Sequence, residues 1–371
     1  MKCIIIADNF KKALSVVERS TSKDLTLPIL GSFFITTESG SLRIMGTNLE
    51  IGIQTTVRCT VSEEGGIVIP SKQLLSYIST LSKDEKITIE SSGVDVILAV
   101  QGQETSIKGY PQEDFPPFPI VKELYKATVY KKDITHFFPR VLISASKSAI
   151  KPELASILAV IEKNSLVIAA TDSFRLSEER IQLTSLSMKN TKESFLLPAR
   201  TFEETIRLTD QSNSDQVEFL IGKGEALFRF GDIVLYSRLV EGNFPDYQQI
   251  IPKDFKTHGV LTRQEIVTHL RRASIFANKL NSVSFILNTK EKSITIESKN
   301  NQGAYKGVMK GEFDGENVSM VFNFQYLLQG VESYGEEKLF FGFNLESQPL
   351  SIKPIGREGS VYIVMPMKGT V

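Results

Sequence analysis

The sequence is poor in the residues that usually carry catalysis or metal chemistry. Its 371 residues include two cysteines and three histidines, and 43 Lys and Arg are matched by 43 Asp and Glu. Cys3 and Cys59 cannot supply a disulfide framework, and both fall in expected strands, so free thiols in a reducing compartment are the better reading. His136, His258 and His269 lie far apart, with no Cys or carboxylate at ligand spacing, and no metal centre is expected. A net charge of zero excludes a general polycation but leaves open where positive charge gathers. No run approaches the ~20 apolar residues of a membrane span, and Met1 to Asp8 is too short an apolar start for a signal peptide. No Gly-x-x-x-x-Gly-Lys-Ser/Thr occurs; Gly222-Lys223-Gly224 reads as a hairpin turn. No serine sits in a nucleophile elbow. The expectation is a cytoplasmic protein without cofactor, metal or membrane contact.

What the chain does have is internal repetition. Leu166-Val167-Ile168-Ala169 reads as a buried strand and leads into Ala170-Thr171-Asp172-Ser173-Phe174-Arg175-Leu176. A weaker form of the cassette appears earlier, in Leu42-Arg43-Ile44-Met45 and Gly46-Thr47-Asn48-Leu49-Glu50. It returns in Ser293-Ile294-Thr295-Ile296-Glu297-Ser298-Lys299-Asn300. The cassettes recur roughly 124 to 129 residues apart, too long for a solenoid unit and suited to three whole domains, with boundaries expected at 1–125, 126–252 and 253–371. With 41% hydrophobic residues the chain can fill two or three cores.

Each repeat predicts two helices and several strands. In the first, Phe10, Ala13, Leu14 and Val17 mark the buried face of one helix, and Leu74, Tyr77, Ile78 and Leu81 that of a second, with Ser71 as its N-cap. Pro111 to Pro119 holds four prolines and reads as an extended linker. In the second repeat, Pro139 should kink or restart a helix that begins near Asp133. Phe202 and Ile206 face inward in the next helix, and Arg200 and Arg207 outward. In the third, Ile266, Leu270, Ala273 and Ala277 are expected to be buried, and Ile275 lies on the outer side without a partner in its own domain.

The helices share a basic outer face: Lys12 and Arg19, Lys72 and Lys83, Arg200 and Arg207, then Arg271, Arg272 and Lys279. Any one of these reads more readily as an ordinary solvated face. Their recurrence gathers positive charge on one surface of a neutral protein, a pattern that binds phosphate backbones without reading sequence. Asp172 with Arg175 reads either as an acid beside an anion clamp or as a structural ion pair and turn cap, and the second is favoured.

These features together resemble the bacterial DNA polymerase III β subunit family, the sliding clamps. The marks are Leu27-Pro28-Ile29-Leu30, Gly46 to Glu50, Ala170-Thr171-Asp172 with Arg175-Leu176, Gly242-Asn243-Phe244-Pro245-Asp246-Tyr247, and Tyr362 to Lys368. The resemblance implies an α+β fold of three repeated clamp domains, each with two helices packed on antiparallel sheets, in a head-to-tail dimeric ring around duplex DNA. It implies a non-catalytic processivity factor whose partners are double-stranded DNA, the replicative polymerase α subunit, the clamp loader, repair polymerases and other clamp-motif proteins. It further implies a peptide pocket between the second and third domains, made of Leu154, Thr171, Ser173, Phe174, Arg175, Leu176, Pro245, Ile250, Val364, Met365, Pro366 and Met367. This chain departs from the family in having Ser173 where Gly is common and Phe174 where a small polar residue is frequent.

Simple geometry agrees with two chains per ring. At ~9 Å between axes, six helices enclose a circle ~17 Å across and twelve a circle ~35 Å across. Helices ~10 Å thick then leave ~7 Å or ~25 Å clear, and a duplex roughly 20 Å wide passes only the larger. The DNA-facing candidates are Arg19, Lys23, Lys72, Lys147, Arg200 and Arg271. The dimer candidates are Ile275 and Phe276 as an apolar plug and the edge strand holding Glu104 and Ile107. Two other functions compete: a three-domain interaction scaffold that does not bind DNA, and a hydrolase built around Asp172 and Arg175.

Overall fold

The computed structural model describes residues 1–22, 27–122, 124–188, 192–344 and 347–368. The first repeat runs β1 (Lys2–Ile6), α1 (Ala7–Val17), β2 (Ser32–Glu38), β3 (Ser41–Thr47), β4 (Ile51–Arg58), β5 (Thr60–Glu63) and β6 (Gly65–Pro70). It continues through α2 (Ser71–Ile78), β7 (Lys86–Ser92), β8 (Asp95–Val100) and β9 (Gln103–Lys108). The second runs β10 (Tyr125–Tyr130), α3 (Lys131–Leu142), β11 (Ser156–Glu162), β12 (Ser165–Thr171), β13 (Arg175–Gln182) and β14 (Ser185–Met188). Then come β15 (Lys192–Pro198), α4 (Ala199–Gln211), β16 (Gln216–Ile221), β17 (Glu225–Phe230) and β18 (Ile233–Arg238). The third runs β19 (Thr257–Thr262), α5 (Arg263–Ser274), β20 (Ser282–Asn288), β21 (Ser293–Asn300), β22 (Gly303–Lys310) and β23 (Glu312–Gly315). It closes with β24 (Val318–Asn323), α6 (Phe324–Ser333), β25 (Lys338–Phe343), β26 (Leu350–Pro354) and β27 (Ser360–Val364).

The chain folds as two compact units. One comprises Met1–Ile134, Leu183–Lys189 and Glu203–Leu239; the other comprises Thr135–Gln182, Asn190–Phe202 and Val240–Val371. The first unit holds a five-stranded sheet, β5-β1-β7-β8-β9, and a nine-stranded sheet, β14-β10-β16-β17-β18-β4-β3-β2-β6. The second holds a nine-stranded sheet, β15-β11-β12-β13-β27-β26-β25-β19-β23, and a four-stranded sheet, β22-β21-β20-β24. Each repeat therefore contributes one five-stranded and one four-stranded piece. Each nine-stranded sheet is a five from one repeat zipped to a four from another, through β18 on β4 and β27 on β13, both antiparallel.

The sequence pattern explains the elements. Ile87, Ile89, Val96 and Leu98 alternate inward along β7 and β8 and are fully buried. Phe10, Ala13, Leu14 and Val17 bury one stripe of α1 as expected, and Leu74 and Ile78 do the same for α2. Several local expectations are corrected. Ser71 is not the cap but the first helical residue; its hydroxyl donates to the Gly31 carbonyl at 2.7 Å, and Pro70 occupies the cap position. Tyr77 and Leu81 are only half-buried, and Leu81 lies past the end of α2 at Ile78. Helix α3 runs unbroken through Pro139 and ends three residues later, so the missing amide falls in the last turn. Ala277 lies past the end of α5 and is half-buried. The proline-rich segment is no loose linker: Phe115 is buried, and Phe118 lies edge-on to Tyr236 at 4.9 Å.

Candidate functional site

The loop joining β12 to β13 is a side-chain-built turn. Asp172 Oδ1 accepts from the backbone amides of Phe174 and Arg175, each at 3.0 Å, and Thr171 Oγ1 donates to the Arg175 carbonyl at 2.8 Å. The same turn stands between β3 and β4, where Asn48 Oδ1 accepts from the Glu50 and Ile51 amides and Thr47 Oγ1 donates to the Ile51 carbonyl. Between β21 and β22, Asn300 Oδ1 accepts from Gln302 and Gly303. The cassette seen in sequence is thus a repeated Asx turn. In the first two repeats its third residue is left-handed, Leu49 at φ +73° and Ser173 at φ +76°. Glycine takes that conformation without strain, so Ser173 holds it at a cost of order 1 kcal/mol.

Arg175 is enclosed. Its Nε donates to Asp172 Oδ2 at 3.0 Å, Nη1 donates to Gln329 Oε1, and the guanidinium lies 4.5 Å from the centre of the Tyr326 ring. The side chain is 7% exposed. Buried, paired with Asp172 and stacked on Tyr326, Arg175 fits the ion-pair and turn-cap reading. Tyr326 and Gln329, both on α6, are the site residues the sequence reading missed. Beside them Phe174 is 60% exposed, with its ring 6.5 Å from that of Tyr326. On the other side of the turn Leu176 packs with Tyr247 and Ile363. The Tyr247 hydroxyl donates to Glu178; burial first, then the Glu178 charge, push its pKa above the usual phenol value.

The twelve pocket candidates all lie in the second unit but do not form one exposed cleft. Ser173, Phe174, Pro245 and Ile250 are exposed, and Met365, Pro366 and Met367 are half-buried. Leu154, Leu176 and Val364 are buried, Leu176 beneath Tyr247 and Val364 in the core of the third repeat, and Thr171 and Arg175 are buried too. The exposed wall is therefore Phe174 with Met365 at its edge, where the Met365 amide donates to the Phe174 carbonyl at 2.8 Å. The segment after β27 is itself packed, since the Met367 amide donates to the Val321 carbonyl at 2.7 Å.

The DNA-facing candidates among the described residues are all exposed and differ in their partners. Lys72 and Lys147 form no ion pair among the described residues. Arg19 pairs at 2.8 Å with Glu204, a carboxylate that is 1% exposed and also pairs with Arg207 at 2.6 Å. Arg207 reaches the Val16 carbonyl at 2.7 Å as well, so it faces the fold rather than solvent. Arg271 pairs with Glu332 at 2.6 Å, and Lys12 with Asp8 at 2.7 Å. Lys23 lies outside the described residues.

The dimer candidates also separate. Ile275 is 68% exposed at the end of α5, but Phe276 is half-buried, because the chain turns there and lays its ring against Gly303. Strand β9, with Glu104 exposed and Ile107 half-buried, is the edge of the five-stranded sheet. Strand β22, not singled out from sequence, is an edge of the four-stranded sheet.

Among the described residues no three His, Cys, Asp or Glu side chains come together as a metal site. His136 contacts Arg140, His269 contacts the Tyr305 hydroxyl, and His258 stacks on Phe340. Cys3 and Cys59 are free, and burial pushes the Cys3 thiol up to about 12. Among the described residues no helix is long and apolar enough to cross a membrane.

Three family models cover nearly the whole chain: the N-terminal domain of the DNA polymerase III beta subunit over residues 1–119, its central domain over 128–246 and its C-terminal domain over 248–368. The chain belongs to the DNA polymerase III beta subunit family. It is 27% identical over 392 residues to the beta sliding clamp of Synechocystis and 24% identical over 374 to that of Synechococcus elongatus, with 99% of both chains covered in each case. The structure of the Bacillus subtilis sliding clamp matches with a TM-score of 0.94 at 22% identity, and that of the Thermotoga maritima beta subunit with 0.90 at 23%, each over 100% of both chains. The function is that of the family: a DNA sliding clamp for the replicative polymerase, a processivity factor with no catalysis of its own.

Proposed function

We propose that two chains close head to tail into a ring that encircles duplex DNA, and that the ring joint is β9 of one subunit on β22 of the other. The supporting observation is the strand count. Two joints within the chain zip a five-stranded piece to a four-stranded piece, and one of each is left with an open edge, β9 and β22. Joining them across subunits makes a third nine-stranded sheet of the same kind and removes two edges that would otherwise invite aggregation. The register of β18 on β4, carried to this pair, sets Ile107 opposite Gly303 and Glu104 opposite Lys306 of the partner subunit; the register of β27 on β13 gives the same pairing.

In this reading the domains are 1–125, 126–252 and 253–371. The exposed cations Lys72, Lys147 and Arg200 attract DNA diffusely, and Phe174, Ile250 and Met365 to Met367 dock short peptides over a floor of Leu154, Leu176 and Val364. The replicative polymerase α subunit, the clamp loader, repair polymerases and other clamp-motif proteins are the peptide donors, and the setting is the cytoplasm. Light scattering combined with loader-dependent retention on nicked circular DNA tests the proposal. A dimer mass with retention that is lost on linearising the DNA is expected. A stable monomer, or retention that survives linearisation, contradicts it.

A further inference from the structure

Each repeat leaves its last strand in the same way. The Tyr110 amide donates to the Val68 carbonyl at 2.8 Å, Val240 to Leu196 at 2.9 Å and Met367 to Val321 at 2.7 Å. In the first two repeats the chain then crosses the outer face of the four-stranded piece of its own repeat and covers it. After Tyr110, the Phe115 ring sits 5.3 Å from that of Phe34 on β2, and Phe118 lies so close over Gly52 on β4 that a β-carbon there would clash. After Val240, Phe244, Tyr247 and Ile251 pack with Leu158 on β11, Ala169 on β12 and Leu176 on β13. Both covering segments share one pattern, Phe-Pro-x-aromatic with a neighbouring Asp: Asp114-Phe115-Pro116-Pro117-Phe118 and Phe244-Pro245-Asp246-Tyr247.

In the third repeat no described residue covers the equivalent face. It is a groove of about 900 Å³ whose floor includes Ser284, Ile286, Ala304 and Val321, with Met365 to Lys368 along one side. Strand registers make Ser284 the counterpart of Phe34 and Leu158, and Ala304 that of Gly52 and Leu176. One difference sets the chemistry. Where Glu178 accepts the Tyr247 hydroxyl in the second repeat, Lys306 stands in the third, paired with Glu297 at 2.9 Å. Lys299 and Lys368 also line the groove, so its cations outnumber its one carboxylate.

We infer that this face is a second peptide-docking site, which takes an extended, acidic Phe-Pro-x-aromatic segment of a partner protein in the way the first two repeats take the chain's own linkers. A proline-containing extended segment loses little conformational freedom on seating. Carboxylates beside the aromatic residues meet Lys299, Lys306 and Lys368 where the chain's own linker meets Glu178. The site goes beyond the pocket proposed around Phe174 and shares with it only the segment from Met365 to Met367.

The chain supplies its own probe, the octapeptide Glu-Gly-Asn-Phe-Pro-Asp-Tyr-Gln of residues 241–248. Fluorescently labelled and titrated into the full chain, it should bind saturably below a Kd of about 1 mM, whereas a version with both aromatic residues changed to Ala should not. Ile286→Glu and Ser319→Glu, the second on the groove-lining strand β24 away from the β22 edge, each alter an outward-facing residue and should weaken binding about tenfold or more, and Phe174→Ala should leave it unchanged; thermal melting confirms that each variant is folded. No saturable binding, or binding that survives both groove variants, overturns the inference. Loss with Phe174→Ala but not with Ile286→Glu also overturns it, by assigning the peptide to the other pocket. Loader-dependent retention on DNA is expected to be the same for both groove variants, so failure here and failure of the ring reading are separately visible.

Discussion

Ile143 and Ile275 hold the same position just past the first helix of their repeats, yet Ile143 packs on the core of the third repeat while Ile275 is 68% exposed. The position is occupied in the first repeat by Arg19, which reaches α4 of the second repeat through Glu204. Two of the three equivalents thus meet the next repeat of their own chain, and only Ile275 lacks a counterpart. If the partner subunit supplies it, Ile275→Asp should weaken the dimer by ~2 kcal/mol or more, roughly 30-fold in Kd. Sedimentation velocity should then show a folded monomer at concentrations where the parent is dimeric. Ile143→Asp should instead lower the unfolding midpoint, because its contact is within the chain.

Glu104 and Lys306 give a sharper check of register. Both side chains are exposed, and Lys306 already pairs with Glu297 on its own sheet. Glu104→Lys alone should raise the dimer Kd severalfold at low salt, and Lys306→Glu alone should do the same by leaving two carboxylates together. The double reversal should recover part of the loss. Sedimentation equilibrium on all four proteins measures the coupling, and a coupling of zero would place the register elsewhere.

Asp172 does two jobs that can be separated. One oxygen caps the turn and the other pairs with buried Arg175. Asp172→Asn keeps the cap, as Asn48 and Asn300 do in the other repeats, and loses only the charge; about 1 kcal/mol of stability should go. Asp172→Ala removes the cap as well as the counter-charge of Arg175 and should cost ~2–4 kcal/mol. Urea denaturation of the two variants orders them, and equal losses would mean that the cap contributes nothing.

The repeat, the two helices per copy and the Asx turn were legible because they rest on local pattern: apolar periodicity and an Asp or Asn at a fixed place after a strand. Exposure was less legible. Leu154, Leu176 and Val364 read as cleft residues, since apolar type alone does not say what covers a side chain: Leu176 lies beneath Tyr247, and Val364 sits in the core of the third repeat. The basic helix faces were overread for a related reason. The partners Glu204 and Glu332 lie on other helices, and periodicity along one helix cannot display them. Strand β22 carried no signal because an edge is defined by the strands that do not pair with it. The covering role of Phe115 and Phe244 was half visible as a shared Phe-Pro motif, without the sheet face that gives it meaning.

His269 should respond to acid. Its ring is half-buried with Nδ1 at 2.8 Å from the Tyr305 hydroxyl, and its pKa lies below the ordinary histidine value. Burial is the main cause; Arg272 adds to it, and Glu265 opposes it. A depressed folded value means that the stabilising effect is full above the unfolded pKa of ~6.5 and is lost as pH falls through the folded value. NMR titration should give a midpoint below 6.5 for this ring. The urea midpoint of the parent should fall between about pH 7 and pH 5 more than that of His269→Gln. Identical pH profiles for the two would remove His269 from the account.

The two classes of cation should behave differently when reversed. Lys72 and Lys147 are exposed, so Lys72→Glu with Lys147→Glu should change the unfolding free energy by no more than ~0.5 kcal/mol per site. Their effect should fall on DNA. Each phosphate contact contributes a slope near one in log K against log salt for B-form DNA. Loader-dependent retention should therefore drop, and its salt dependence should become shallower in proportion to the phosphates that the variant no longer neutralises. Arg19→Glu should act mainly on the fold: it sets a carboxylate against Glu204, which is 1% exposed, and leaves Arg207 as that group's remaining ion-pair partner. A loss of ~3 kcal/mol or more is expected there. Arg271→Glu faces Glu332 at the surface and should cost ~1 kcal/mol or less. Measuring stability and DNA retention side by side for these variants separates the roles. If Arg19→Glu impaired retention at unchanged stability, the Glu204 pair would not be what holds Arg19, and that residue would return to the DNA-facing group.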